Sequence, residues 1–225
     1  MDGLADRGVL PSCDGVLSGY VGTAEIGRAI GAAVRRVKAL NPKALYCCDP
    51  VMGDVGQGLY VRADIPEFMR LEALPLADII TPNQFELGLL GDSETESFAQ
   101  LKRALSIVHG LGPKLILVTS VMTKETPEHA LELIASHADA SGHQIFRVRT
   151  PRLRLSANGA GDTIAALFLA HYLMLGGVRD ALKNAAASVY SLLYMTAQAG
   201  QRELATVAAQ EQFVRPNFVF EPETL

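Results

Sequence analysis

The feature that most constrains this chain is alternation. Short apolar runs with strand character keep trading places with longer segments of helical periodicity. Candidate strands fall at Asp14–Gly19, Ala44–Cys48, Asp78–Thr81, Lys114–Thr119, Leu131–Ala135 and Gln144–Val148. Candidate helices fall at Ala24–Leu40, Pro66–Ala73, Phe85–Leu90, Ser97–His109, Gly161–Leu175 and Val178–Thr196, with a last one expected at Glu203–Glu211. Strand, helix, strand, helix in this order predicts a mainly parallel central sheet with helices on both faces, a three-layer α/β/α architecture. One exception is the stretch Ala138-Asp139-Ala140-Ser141-Gly142, which suits a hairpin joining two antiparallel edge strands. No internal repeat interrupts the pattern, and 225 residues fit a single domain over 1–225.

Composition narrows the function classes. Hydrophobic residues make up 49% of the chain, enough for a large core, and the net charge is −4. No basic surplus favours nucleic acid or an anionic membrane. A phosphate site here must therefore be local, made of backbone amides and a few placed cations. The three cysteines, Cys13, Cys47 and Cys48, have no metal-ligand spacing, and the N-terminus has no signal-peptide order, so a reduced, cytoplasmic chain is expected. The most apolar run, Ile164 to Leu175, is too short to span a bilayer. Five histidines are present, none in a ligand-spaced pair, and no role is assigned to them.

In sheets of this type, ligands bind beyond the carboxyl ends of the strands. The segments there are polar: Gly19-Tyr20 after the first strand, Asp49-Pro50-Val51-Met52-Gly53-Asp54 after the second, Thr81-Pro82-Asn83-Gln84-Phe85-Glu86 after the third, and Thr119-Ser120 after the fourth. Two carboxylates on one loop, Asp49 and Asp54, suit Mg²⁺, which takes few carboxylates together with phosphate oxygens. Pro82 sets up a helix start at Asn83, and Asn83 with Glu86 is also the spacing of a capping box.

The most informative segment is Ser156-Ala157-Asn158-Gly159-Ala160-Gly161-Asp162, which runs into an apolar helix. Small residues at a helix start leave backbone N–H groups unobstructed, and the helix terminus adds partial positive charge. Together these stabilise an anion such as a phosphoryl group in transfer. Asp162 stands where a carboxylate can take a proton from a substrate hydroxyl. On spacing alone the same residues are equally a helix cap. No Gly-Lys-Ser/Thr follows, so this is not a P-loop.

Four segments in this order resemble the ribokinase-like superfamily and, within it, the pyridoxal kinases of vitamin B6 salvage: Asp14-Gly15-Val16-Leu17-Ser18-Gly19-Tyr20, Asp49–Asp54, Thr81–Glu86 and Asn158–Asp162. The resemblance runs from about Cys13 to the C-terminus. It implies an ATP-dependent kinase that phosphorylates the hydroxymethyl group of pyridoxal, pyridoxine or pyridoxamine, a cytoplasmic homodimer without nucleic-acid or membrane partners. It implies Asp162 as the base, with the Gly159, Ala160 and Gly161 amides as the anion hole. Tyr20 is expected against the pyridine ring, and Asp54 and Glu86 at Mg²⁺. Asp49, Thr81, Asn83, Glu86 and Thr119 are expected to border ATP and a monovalent cation such as K⁺. Arg147-Val148-Arg149-Thr150 is expected as a loop against the nucleotide. Ala160 stands where the family usually has Thr or Val. Relative to the family, the first strands and the lid hairpin are expected to be missing, which exposes a sheet edge. Two other readings stay open here: a hydroxymethylpyrimidine kinase of thiamine synthesis, which shares the fold, and a non-catalytic nucleotide-binding remnant.

Overall fold

The computed structural model describes residues 1–140, 142–153, 155 and 158–225. Ser141, in the expected hairpin turn, and Ser156 and Ala157, ahead of the glycines, lie outside the described residues. In chain order the elements are α1 (Asp2–Asp6), β1 (Gly15–Ser18), α2 (Ala24–Leu40), β2 (Leu45–Cys48), β3 (Gly53–Asp54), β4 (Gly58–Leu59) and α3 (Ile65–Phe68). They continue with β5 (Ile79–Ile80), α4 (Gln84–Gly91), α5 (Phe98–His109), β6 (Leu115–Val121), β7 (Ala130–Asp139), β8 (Gly142–Pro151), α6 (Ala160–Leu175), α7 (Val178–Gln198) and β9 (Glu223–Thr224).

Among the described residues, seven strands form the main sheet in the order β1-β2-β5-β6-β7-β8-β9, with β3 and β4 a separate two-stranded hairpin. The first four strands pair in parallel, and β7, β8 and β9 add antiparallel. Among the described residues, β1 is the outermost strand on its side.

The three layers follow from period-two alternation in strands that are covered on both faces. Tyr46, Cys48, Ile80, Ile116 and Val118 enter one core with Val34, Phe68, Leu87, Leu90, Leu101 and Leu105 from α2, α3, α4 and α5. Their chain neighbours Cys47, Ile79, Leu115 and Leu117 enter the other, with Ile164, Phe168, Leu169, Leu182, Ala185 and Val189 from α6 and α7. Cys47 and Cys48 are adjacent, both fully buried, and on opposite sides of the sheet.

Three expectations are corrected. The segment expected as one helix over Pro66–Ala73 is a short α-helical turn, a π turn over Met69–Ala73 and a 3-10 turn over Leu74–Leu76. Leu74 is fully buried and Pro75 follows it, so the chain tightens into the core instead of propagating a helix. The helix expected at Glu203–Glu211 does not form. Glu203 instead bridges Asn158, the Ala205 amide donates to Thr196 Oγ1 (3.1 Å), and the stretch holds a single turn closed by the Ala209 amide on the Ala205 carbonyl (2.8 Å) before the 3-10 turn Gln210–Phe213. Tertiary hydrogen bonds override propensity over a stretch too short to hold a helix alone. Arg147–Thr150 is not a loop but part of β8, with Val148 fully buried in the α6–α7 core. The hairpin that carries it is longer than expected because β7 and β8 pair over ten residues, from Ala130↔Pro151 to Asp139↔Gly142.

Candidate active site

The carboxyl ends of β1, β2, β5 and β6 and the start of α6 share one rim. A helix start makes that rim. Gly159 caps α6 with φ +88°, a conformation L side chains rarely adopt, and among the described residues no side chain caps the helix. The first backbone hydrogen bond runs from the Thr163 amide to the Gly159 carbonyl (3.0 Å), and the Thr163 hydroxyl joins it (2.7 Å). The amides of Ala160, Gly161 and Asp162 precede that bond and have no acceptor within the helix.

Asp162 lies in this first turn and is exposed. A Cβ placed on Gly19 would sit 3.3 Å from Asp162 Oδ1, so the carboxylate rests against bare backbone at the end of β1. A Cβ placed on Gly161 would sit 4.0 Å from Asp49 Oδ2, so the end of β2 comes to the same turn. Tyr20, 60% exposed, follows Gly19 on the same side.

Asp49 is buried, and Thr81 Oγ1 donates to its Oδ1 (3.0 Å). Burial, opposed by that hydrogen bond and helped by the charge of Asp162, pushes its pKa up to about 6. Glu86 is also buried and accepts three backbone amides: Met52 (2.8 Å) and Gly53 (3.4 Å) on Oε1, and Asn83 (2.9 Å) on Oε2. Burial outweighs these bonds, and its pKa rises to about 7. Asn83 caps α4 by accepting the Glu86 amide (2.9 Å), and its Nδ2 donates to the Gly53 carbonyl (2.7 Å). The capping box expected from spacing is present, and it does more than cap. Asn83 and Glu86 together clamp the loop that presents Asp49 and Asp54. Asp54 is exposed at the tip of that loop and accepts the Val55 amide (2.7 Å). Thr119 is bridged to Asn83 in parallel, which brings the end of β6 to the same clamp. Beside it, Ser120 adopts φ +54°, where the β6–β7 register slips between Val118 and Val121.

Among the described residues, no three His, Cys, Asp or Glu side chains gather closely enough to hold a metal by themselves. A magnesium ion carried in with phosphate needs only one or two carboxylates from the protein. The Asp49 and Asp54 oxygens without a hydrogen-bond partner among the described residues fit this role better than Glu86, whose two oxygens already take three amides.

The sequence reading missed Tyr60. It follows the β3–β4 hairpin, which turns on Gly56 and Gly58 at φ +81° and +73°. Its amide donates to the Met52 carbonyl (3.0 Å), which ties it to the acidic loop, and burial first, then the charges of Glu86, Asp54, Asp49 and Asp162, push its phenol pKa up. The available signal was the Gly-rich stretch before it. Arg147 and Arg149 stand on β8 and are engaged with carboxylates of the protein itself.

An uncapped helix start with a carboxylate beside it, opposite acids at the ends of parallel strands, defines a small-molecule phosphotransferase of the ribokinase-like type. Comparison with known proteins makes this specific. The family model described as phosphomethylpyrimidine kinase matches residues 12–207. The pyridoxal kinase PdxY of Granulibacter bethesdensis is 49% identical over 224 residues, covering 98% of this chain and 77% of that protein. The pyridoxal kinase PdxY of Rubrobacter xylanophilus is 47% identical over 215 residues, covering 95% and 73%. The structure of the Leishmania donovani pyridoxal kinase with ADP and pyridoxamine superposes with a TM-score of 0.90 at 26% identity, covering 100% of this chain and 79% of that one. The chain belongs to the pyridoxal kinase family. No helix among the described residues is long and apolar enough to cross a membrane.

Proposed function

We propose that this chain transfers the γ-phosphoryl group of ATP to the hydroxymethyl oxygen of pyridoxal, pyridoxine or pyridoxamine, with Asp162 as the general base. One observation carries the assignment of roles: the Asp162 carboxylate lies at the unsealed start of α6, against bare backbone at the end of β1. An acceptor hydroxyl held there, with Tyr20 beside its ring, can give its proton to Asp162 as the oxygen attacks. The amides of Gly159, Ala160 and Gly161 then face the charge spread over the transferring phosphoryl oxygens. Asp49, Thr81, Asn83, Glu86 and Thr119 border the nucleotide and a monovalent cation, with Arg147–Thr150 further along it on β8. Asp54 and Asp49 would hold Mg²⁺, with Glu86 bracing their loop through the Met52 and Gly53 amides, and the ion would supply neutralisation of charge on the phosphate oxygens. Tyr60, held to the acidic loop through its amide, suits a donor to the same oxygens. A cytoplasmic homodimer is the assembly we expect.

The bacterial relatives at 37–49% identity are named pyridoxal kinases, which favours a B6 vitamer over hydroxymethylpyrimidine as the acceptor. A kinase assay with pyridoxal compares the chain with Asp162→Ala. Turnover in the first and its loss in the second is the expected result. No turnover by the unmutated chain, with ATP binding intact, would instead identify a nucleotide-binding remnant.

A further inference from the structure

Strands β7 and β8 carry an ion network at the level of the rim. Glu132 on β7 is 2% exposed and stands in register with Val121 on β6 and Arg149 on β8. Its Oε1 accepts Arg149 Nε (2.9 Å) and Nη2 (2.7 Å), and Arg147 Nη1 lies 3.7 Å away. Its Oε2 accepts the Thr126 hydroxyl (3.2 Å), and Thr126 Oγ1 in turn accepts the Thr123 amide (3.0 Å). Arg147 Nη2 reaches on to Glu223 of β9 (2.6 Å). One buried carboxylate thus ties β8 and the C-terminal strand to the loop that leaves β6 just after Thr119 and Ser120.

Stability alone does not account for such a group. Burying a charge set costs desolvation that its attractions barely repay, and apolar substitutes of similar size are often as stable or more so. Geometry offers a reason. The acceptor side of the site is fixed by Gly19 against Asp162, at the β1 edge. In-line transfer puts the leaving nucleotide on the far side of the transferred group, over the ends of β6, β7 and β8. Arg149 stands there with its side chain 37% exposed, and Glu132 holds two of its three nitrogens.

We propose that Glu132 is a positioning residue for the nucleotide. It fixes the Arg149 guanidinium and, through Thr126, the loop after β6, so that both meet the part of ATP beyond the transferred phosphoryl group. The proposal rests on the kinase reading above, and its test is chosen to fail separately. ADP affinity is read by calorimetry, which needs no turnover, alongside KM for ATP and for pyridoxal. Glu132→Gln should weaken ADP and raise KM for ATP about tenfold, as expected for losing a charged hydrogen-bonded partner, with KM for pyridoxal nearly unchanged. Thr126→Val keeps the ion pairs and cuts only the link to the loop, so it should weaken ADP about threefold. Glu132→Asp, which keeps the charge, should recover part of the loss. Unchanged ADP affinity in folded Glu132→Gln overturns the proposal, as does an equal rise in both KM values. If Glu132→Gln does not fold, Thr126→Val decides, and unchanged ADP affinity there overturns the proposal. A chain that binds ADP but never phosphorylates pyridoxal breaks the kinase reading and leaves this measurement standing.

Discussion

Helices α4 and α6 both point their N-termini at the same rim, and they are finished in opposite ways. The start of α4 is sealed. Asn83 and Glu86 exchange hydrogen bonds across its first turn and also grip the Met52–Gly53 backbone. Among the described residues the start of α6 is bare, with a positive-φ glycine and no side-chain cap. The same dipole and the same orphan amides therefore serve two ends. Where side chains satisfy the amides, the terminus is scaffold and holds acids in place. Where nothing satisfies them, it is a receptor for a transient anion.

The sharpest way to break this contrast is at Asp162. Asp162→Asn keeps shape and hydrogen bonding but removes the base, so kcat should fall by about 10²–10⁴-fold while ADP still binds. A small loss would place the base elsewhere.

Titration comes next. In the folded chain Asp49 and Glu86 hold protons up to about pH 6 and 7, whereas the unfolded groups release them near their ordinary values of 3.8 and 4.5. In that window the folded state binds more protons, so apo stability should fall as pH rises from about 4.5 to 7. The slope is about 1.4 kcal/mol per pH unit for each proton. Denaturant midpoints across pH would show it, and Asp49→Asn should flatten it. The far end of the sheet works with the opposite sign. His109 bonds the Pro113 carbonyl (2.8 Å) and the buried Ser136 hydroxyl (2.8 Å), with the His143 ring 4.8 Å away. Burial holds its pKa below the ordinary 6.5, so it favours folding above that pH and withdraws support as pH falls through it.

Gly159→Ala tests the bare terminus itself. An alanine forced to φ +88° should cost about 1–2 kcal/mol, read as a lower midpoint, and should depress turnover beyond that by turning the amides. Asn83→Ala tests the sealed one. Losing the cap should cost about 1 kcal/mol, with a rise in KM for ATP as the acidic loop loosens. If Asn83→Ala hurt kcat more than Gly159→Ala, the assignment of scaffold and receptor would be reversed.

Much of this was legible before any coordinates. The parallel strands, their order of polar ends and the glycine-led helix follow from periodicity and small-residue spacing, which local physics enforces strongly. Other features depend on contacts that spacing does not encode. Glu86 looked like a cap and a metal neighbour, but its grip on Met52 needs two loops 34 residues apart to meet. Tyr60 follows strands of two residues, too short to show alternation. Glu203–Glu211 has helical propensity, yet its first residues bond Asn158 and Thr196 and leave only isolated turns behind them. Arg147–Thr150 was expected as a loop from the resemblance alone, although Arg147 and Val148 also fell in the candidate strand Gln144–Val148, and carboxylate partners on β7 and β9 hold the arginines along a strand.

The placement of Cys47 and Cys48 has a practical consequence. Two adjacent thiols, each wholly buried, report on different helical layers: Cys48 on the one built from α2, α3, α4 and α5, and Cys47 on the one built from α6 and α7. Alkylation rates of single-cysteine variants would clock the opening of each layer independently. Equal rates would mean the sheet loses both coverings in one cooperative event, and unequal rates would show which flank peels away first.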